Sequence, residues 1–187
     1  MIREVRVIVR VRMERLRKKK GIGTSAGGNA ALAIDAAKSR GVMGSGTGTP
    51  GQAKSDRAFT LNAMQARQIF ASATAMRDGG WQTHLGRDLR GARLGILGLG
   101  RLGAQLAGYA KAFGMEIQAW SQNLTEERCD EVGVSYVDRD TLFRSSDFIS
   151  IHLKLSARVR QLVGAEEIAM MKPDAYLVNT SRAPIID

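Results

Sequence analysis

The sequence predicts an α/β protein built on a doubly wound parallel sheet. From residue 94 onward, short apolar runs alternate with helical segments, the order expected when helices cover both faces of a parallel sheet. The first run is apolar on nearly every residue, as in a strand buried on both sides. It leads directly into a glycine-rich turn that opens a helix.

Taken in order, residues 94–97 read as the first of these strands and 101–113 as a helix. Residues 115–120 form a second strand and 125–132 a helix. A short strand at 135–137 and a short helix at 138–145 follow. Residues 148–153 are the fourth strand, 165–171 a helix with Pro173 beyond its end, and 176–179 the fifth strand. Upstream, apolar residues at 5, 7, 9 and 11 alternate with polar ones, a strand period. Residues 13–20 can be helical, and 30–40 read as a short helix closed by Gly41. A loop at 44–51 holds Pro50 and marks the domain boundary, giving domains 1–50 and 51–187. Residues 56–77 lack Gly and Pro and read as one long helix capped by Ser55 or Asp56. Phe59, Ala63, Ala66, Phe70 and Ala73 give it an apolar face that Asn62 and Gln65 interrupt. Gly79 and Gly80 end it, and 81–90 connect it to the first sheet strand.

Composition narrows the function classes. With 187 residues, 44% hydrophobic and 25% charged, the chain can bury a sizeable core. No apolar run is long enough to span a bilayer, and no secretory leader is legible, so the expected compartment is the cytoplasm. The single Cys129 cannot form an internal disulfide and has no metal-ligand spacing, so it reads as a small buried side chain and no metal site is expected. The net charge of +10 invites a nucleic-acid reading. However, residues 1–20 alone hold nine Lys or Arg against two Glu, leaving 19 basic and 16 acidic residues elsewhere. Such a terminal block is usually solvated, and this one has no aromatic residue to stack on a base.

The chemistry lies in Gly98-Leu99-Gly100-Arg101-Leu102-Gly103. A Gly-x-Gly-x-x-Gly string is informative only between a strand and a helix, and it stands there here. Gly98 permits the tight turn, Gly100 lets the backbone approach a pyrophosphate, and Gly103 lets helix and strand pack closely. The free amides and dipole at the helix start favour phosphate. The pattern is that of a Rossmann-type dinucleotide site. The acidic residue expected about 20 residues on, to hold the adenosine ribose, is absent: the second strand ends Trp120-Ser121-Gln122-Asn123. Ser121 can hydrogen-bond a ribose hydroxyl. No carboxylate excludes a 2′-phosphate and no adjacent Arg binds one, so NAD is favoured slightly and NADP is possible.

At this level of detail the sequence resembles the D-isomer-specific 2-hydroxyacid dehydrogenases, phosphoglycerate dehydrogenase among them. The resemblance rests on residues 94–103, on Phe113-Gly114-Met115, and on Met171-Lys172-Pro173 through Tyr176-Leu177-Val178-Asn179-Thr180-Ser181-Arg182. The loop at 46–51 and the segment 77–91 are similar as well. The resemblance implies that 1–50 is the end of a smaller, flavodoxin-like substrate domain and that 51–187 is an NAD(P)-binding domain incomplete at its C-terminal end. It implies that Arg101 and Leu102 line the pyrophosphate and that Ser121 takes the ribose position. Thr180, Ser181 and Arg182 would face nicotinamide and substrate. Arg182 would be the catalytic arginine, gripping the carboxylate and carbonyl oxygen of a 2-oxo acid. Arg3, Ser25, Ala26 and Gly27 would hold the substrate carboxylate. A homodimer paired through the nucleotide domain is implied too, with no nucleic-acid or membrane partner.

The family's acid–base His and its Glu partner lie downstream of the arginine motif, whereas the only histidines here are His84 and His152. Lys154 and Ala183 stand where the family usually has Pro and Gly. Three functions follow as expectations: hydride transfer between NAD(P) and a 2-hydroxy or 2-oxo acid, dinucleotide binding without turnover, and, least supported, nucleic-acid binding through residues 1–20. Loss of a general acid–base group typically costs ~10²–10⁴-fold in rate. A sheet that ends early exposes a strand edge, so self-association is expected.

Overall fold

The computed structural model describes residues 21–24, 43–46, 52–81 and 84–187. The chain divides into two compact units, Met1–Pro50 and Gly51–Asp187. In the first unit, β1 (Gly21–Thr24) pairs in parallel with β2 (Met43–Gly46), Gly21 opposite Met43 and Thr24 opposite Gly46. The expected loop at 44–51 therefore begins later, because a ladder with a distant segment overrides the breaker residues Gly44 and Gly46. The alternating stretch 5–12 and the helical segments at 13–20 and 30–40 lie outside the described residues.

The second unit is a five-stranded parallel sheet in the order β5-β4-β3-β6-β7. Its strands are β3 (Arg93–Leu97), β4 (Glu116–Trp120), β5 (Ser135–Tyr136), β6 (Phe148–Ile151) and β7 (Tyr176–Asn179). The chain winds outward from β3 to β5, returns beside β3 as β6, and continues to β7. That reversal is the topological switch point of a doubly wound Rossmann-type fold, where ligands bind outside the carboxyl ends of the strands.

Two apolar layers hold the helices to the sheet. On one face Leu94, Ile96 and Phe148 pack with Ala58 of α1 (Gln52–Ala66), Leu106 of α3 (Arg101–Ala112) and Cys129 of α4 (Glu126–Val132). On the other face Leu97, Ile149 and Ile151 pack with Leu142 and Phe143 of α5 (Arg139–Ser145). A further helix, α6 (Ala165–Met170), follows. Gly95 admits α5: a Cβ there would sit 2.3 Å from Ser146 Oγ and 2.9 Å from Leu142. Thr125 and Asp138 cap α4 and α5 by accepting from Arg128 N–H and Thr141 N–H.

The single helix expected over 56–77 is two. α1 ends at Ala66, Gln68 adopts the left-handed conformation (φ 49°), and α2 runs Ile69–Arg77. The connector causes the break. Arg87 N–H donates to Ala66 O at 2.7 Å, replacing the partner a continuous helix would supply. Gly86 is needed there, since its φ is +66° and a Cβ would lie 2.4 Å from Ala66 O. Nor do Ser55 and Asp56 cap α1, which starts at Gln52. Ser55 donates to Gln105 Oε1 at 2.8 Å, and Asp56 accepts from Tyr109 O–H at 2.6 Å, so both tie α1 to α3. No residue of α2 is buried. Among the described residues no helix is long and apolar enough to cross a membrane, and no group of three His, Cys, Asp or Glu could hold a metal.

Candidate dinucleotide and 2-oxo acid site

The site forms where β3 and β6 end side by side. Leu97 pairs with Ile151, and beyond them His152 N–H donates to Leu97 O at 2.8 Å while Gly98 N–H donates to Trp120 O at 2.9 Å. The chain then turns sharply. Gly98 has φ +102°, and a Cβ there would lie 3.1 Å from the His152 carbonyl and 3.0 Å from Leu153. Gly103, in the first turn of α3, sits against that bend, and a Cβ on it would be 2.3 Å from Gly98 O. These two glycines are required by the protein's own packing. Gly100 is not: its φ is −76° and a Cβ would meet nothing within 4 Å. It faces open space at the start of a 12-residue helix whose N-cap supplies no side-chain acceptor, so the first amides stay available. Arg101 is exposed and Leu102 half-buried, and among the described residues Arg101 has no ion pair. A pyrophosphate fits this donor set.

Ser121 is half-buried at the end of β4, and its hydroxyl has no hydrogen bond among the described residues; only its carbonyl is engaged, by Leu124 N–H at 3.1 Å. On β7, Asn179 leads into Thr180, Ser181 and Arg182. Ser181 O–H donates to Ile151 O at 2.9 Å, fastening this turn to the end of β6. Arg182 is exposed, its guanidinium resting on Ser181 O at 2.9 Å. The fold thus brings the glycine loop, Ser121 and the arginine turn to one end of one sheet. Arg3, Ser25, Ala26 and Gly27 lie outside the described residues.

His152 is held at this rim with Ser150 Oγ 2.9 Å from Nε2. Burial lowers its pKa from 6.5 to about 4, so the imidazole is neutral at pH 7. His84 is exposed in the connector. Two features escaped sequence reading. The carboxylate of Asp147 gathers three donors at the opposite end of the sheet, and its position just before an apolar strand was its only signal. The amide of Asn179 spans the arginine turn, and the Asn-x-Ser spacing that allows this was legible.

Fold and loop together are those of a dinucleotide-binding domain with a doubly wound sheet. The family follows from comparison. Residues 59–187 match the family model described as "D-isomer specific 2-hydroxyacid dehydrogenase, NAD binding domain", and the chain belongs to that family. It is 38% identical over 187 residues to a glyoxylate reductase from Thermococcus litoralis, covering 94% of this chain and 56% of that protein. A hydroxypyruvate reductase from Thermotoga maritima is 36% identical over 157 residues, 82% of this chain and 50% of the relative. Among solved structures, a phosphoglycerate oxidoreductase from Vibrio cholerae aligns with TM-score 0.88 at 28% identity, over 94% of this chain and 57% of the other. The chain spans about half the length of the curated relatives it matches.

Proposed function

We propose that this chain is the dinucleotide-binding part of an oxidoreductase that acts on a 2-hydroxy or 2-oxo acid with NAD(P). The observation that supports it most is Gly100, a glycine that neither backbone nor packing demands, set in a loop whose other glycines pack tightly. When bound, the nicotinamide supplies the hydride chemistry. The amides of the 98–103 loop, with Arg101 and Leu102, would hold the pyrophosphate, Ser121 the ribose, and Thr180 and Ser181 the nicotinamide end. Arg182 would pair its planar guanidinium with the acid's carboxylate and carbonyl oxygen, orienting and polarising the carbonyl.

The favoured dinucleotide is NAD. Residues 121–125 hold no cation for a 2′-phosphate, and the nearby Arg128 is paired with Glu131 at 2.8 Å. For the chain by itself we read binding without turnover, because neither of its two histidines, His84 in the connector and His152 on the Ser150 hydroxyl, matches the family's acid–base His, which follows the arginine motif. Residues 1–50 are read as part of a substrate domain and 51–187 as the nucleotide domain. A homodimer is proposed from α2, which leaves Ile69, Phe70 and Met76 exposed, with Trp81 and Leu85 exposed just beyond. Light scattering checks this: a monomer at micromolar concentration would reject it.

The test of the main reading is titration with NADH and, separately, NADPH, following Trp120 fluorescence. Saturable quenching, tighter for NADH, is expected. No response to either would overturn the reading.

A further inference from the structure

We infer that Asn179 is a positioning residue for Arg182, its amide holding the turn from which the arginine reaches the acid; this rests on the proposed role of Arg182. Asn179 Oδ1 accepts from Ser181 N–H at 3.0 Å, and Nδ2 donates to Arg182 O at 3.0 Å. One side chain thus holds both the residue before the arginine and the arginine itself. The Arg182 carbonyl also accepts from Ile185 N–H at 3.2 Å, so both of its lone pairs are engaged, one by the strand end and one by the short helical turn Ala183–Ile185. Ser181 O–H closes the third side on Ile151 O at 2.9 Å.

The guanidinium itself lies in the open, hydrogen-bonded only to Ser181 O among the described residues. A long side chain anchored on a mobile loop would sample many directions. With the backbone on both sides of its Cα held by these hydrogen bonds, Arg182 starts from a fixed origin and direction, and only its side-chain torsions remain to be set. An error of about 1 Å in such a contact can cost on the order of 10²-fold, which gives the amide a role beyond tying off a strand.

The experiment compares Asn179→Ala, Asn179→Ser and Arg182→Ala with the unaltered chain. Oxamate is titrated into the NADH-loaded protein, and ¹⁵N relaxation is recorded for the amides of Thr180, Ser181 and Arg182 and for Arg182 Nε. Asn179→Ala is expected to loosen the three amides and weaken oxamate on the order of tenfold, while NADH, held mainly by the 98–103 loop, still binds. Asn179→Ser, whose hydroxyl can still accept from Ser181 N–H, is expected to recover part of both losses. Unchanged oxamate affinity in Asn179→Ala, where Arg182→Ala abolishes binding, overturns the inference, and so does a turn that stays as ordered as before. If the unaltered chain binds NADH but no oxamate, the proposed acid role of Arg182 fails, and relaxation alone decides whether Asn179 holds the turn.

Discussion

The cluster at Asp147, at the amino ends of the strands, and the arginine turn, at their carboxyl ends, arrange charge differently. At the amino ends, Asp147 accepts from Arg93 N–H at 2.7 Å, Lys172 Nζ at 2.8 Å and Arg87 Nη2 at 3.2 Å. Arg87 also reaches Asp174 at 2.9 Å and Arg93 reaches Glu116 at 2.7 Å. The Arg87 guanidinium lies 5.5 Å from the Phe148 ring centre, and Phe148 stacks on Tyr176. At the carboxyl ends, Arg101, Lys154, Arg158, Arg160 and Arg182 are exposed, and none has a carboxylate partner among the described residues. Arg87 and Lys172 are thus neutralised where they clamp the sheet on Asp147, whereas the five cations named at the other end are not, although Arg128 and Arg139 there pair with Glu131 and Glu167.

The largest effect is expected at Asp147. Burial pushes its carboxyl up, but the Arg93 N–H, Lys172 and the Arg87 charge outweigh that and hold it below the ordinary carboxylate value. Asp147→Ala strands three donors and should destabilise the fold by about 2–3 kcal/mol, read from urea unfolding, with NADH affinity of the folded protein unchanged. Because the folded pKa is depressed, the contribution is fully present above the unfolded value of about 3.9 and is lost as pH falls through the lower folded one. A variant as stable as the parent would show that the clamp carries no weight.

At the carboxyl end, two glycine substitutions should differ in effect. Gly103→Ala drives a Cβ onto Gly98 O and is expected to cost about 1–3 kcal/mol and to abolish NADH quenching. Gly100→Ala enters open space, so the unfolding midpoint should fall only slightly while NADH affinity drops on the order of tenfold. Equal affinity in Gly100→Ala would remove the chief support for a pyrophosphate at that loop.

His152 couples the rim to pH. Its folded pKa of about 4 lies below the 6.5 of an unperturbed imidazole, so from pH 6.5 down to about 4 the unfolded chain binds a proton that the native state refuses. Stability must fall through that window, and it is fully present above it. Urea midpoints at pH 7 and 4.5 should differ less in His152→Gln than in the parent; the same difference would place the titration elsewhere. The smallest effect is expected away from both ends. Asn62 is buried in α1, and its Oδ1 has no hydrogen-bond partner among the described residues although Nδ2 donates to Ala58 O at 2.8 Å. Asn62→Leu should raise stability by about 1 kcal/mol and leave NADH binding untouched.

The five sheet strands and the helices between them were legible because each element announces itself locally. Mainly apolar runs mark 94–97 and 148–153, of which β6 takes Phe148–Ile151, Thr125 and Asp138 mark helix starts, and Gly133 at φ +68° marks a helix end. The glycine loop was legible for the same reason, since tight turn, close packing and open amide each restrict one position. The break at Gln68 was not. Nothing in 56–77 forbids a continuous helix; Arg87, 21 residues beyond Ala66, takes the Ala66 carbonyl. Ser55 and Asp56 likewise read as caps until α3 came alongside.

By itself, then, the sequence determined the alternation of elements and the glycine turn, because these depend on local periodicity and on conformations few residues adopt; Arg182 stood out through the family resemblance. Only the tertiary structure decided that the Ser121 hydroxyl has no hydrogen bond among the described residues, that Ser181 braces β6, that the Asn179 amide spans the arginine turn, and that Asp147 gathers Arg87, Lys172 and the Arg93 N–H. Those outcomes depend on which groups meet across strands tens of residues apart, and a hydrogen bond is set by distance and angle in space rather than by spacing along the chain.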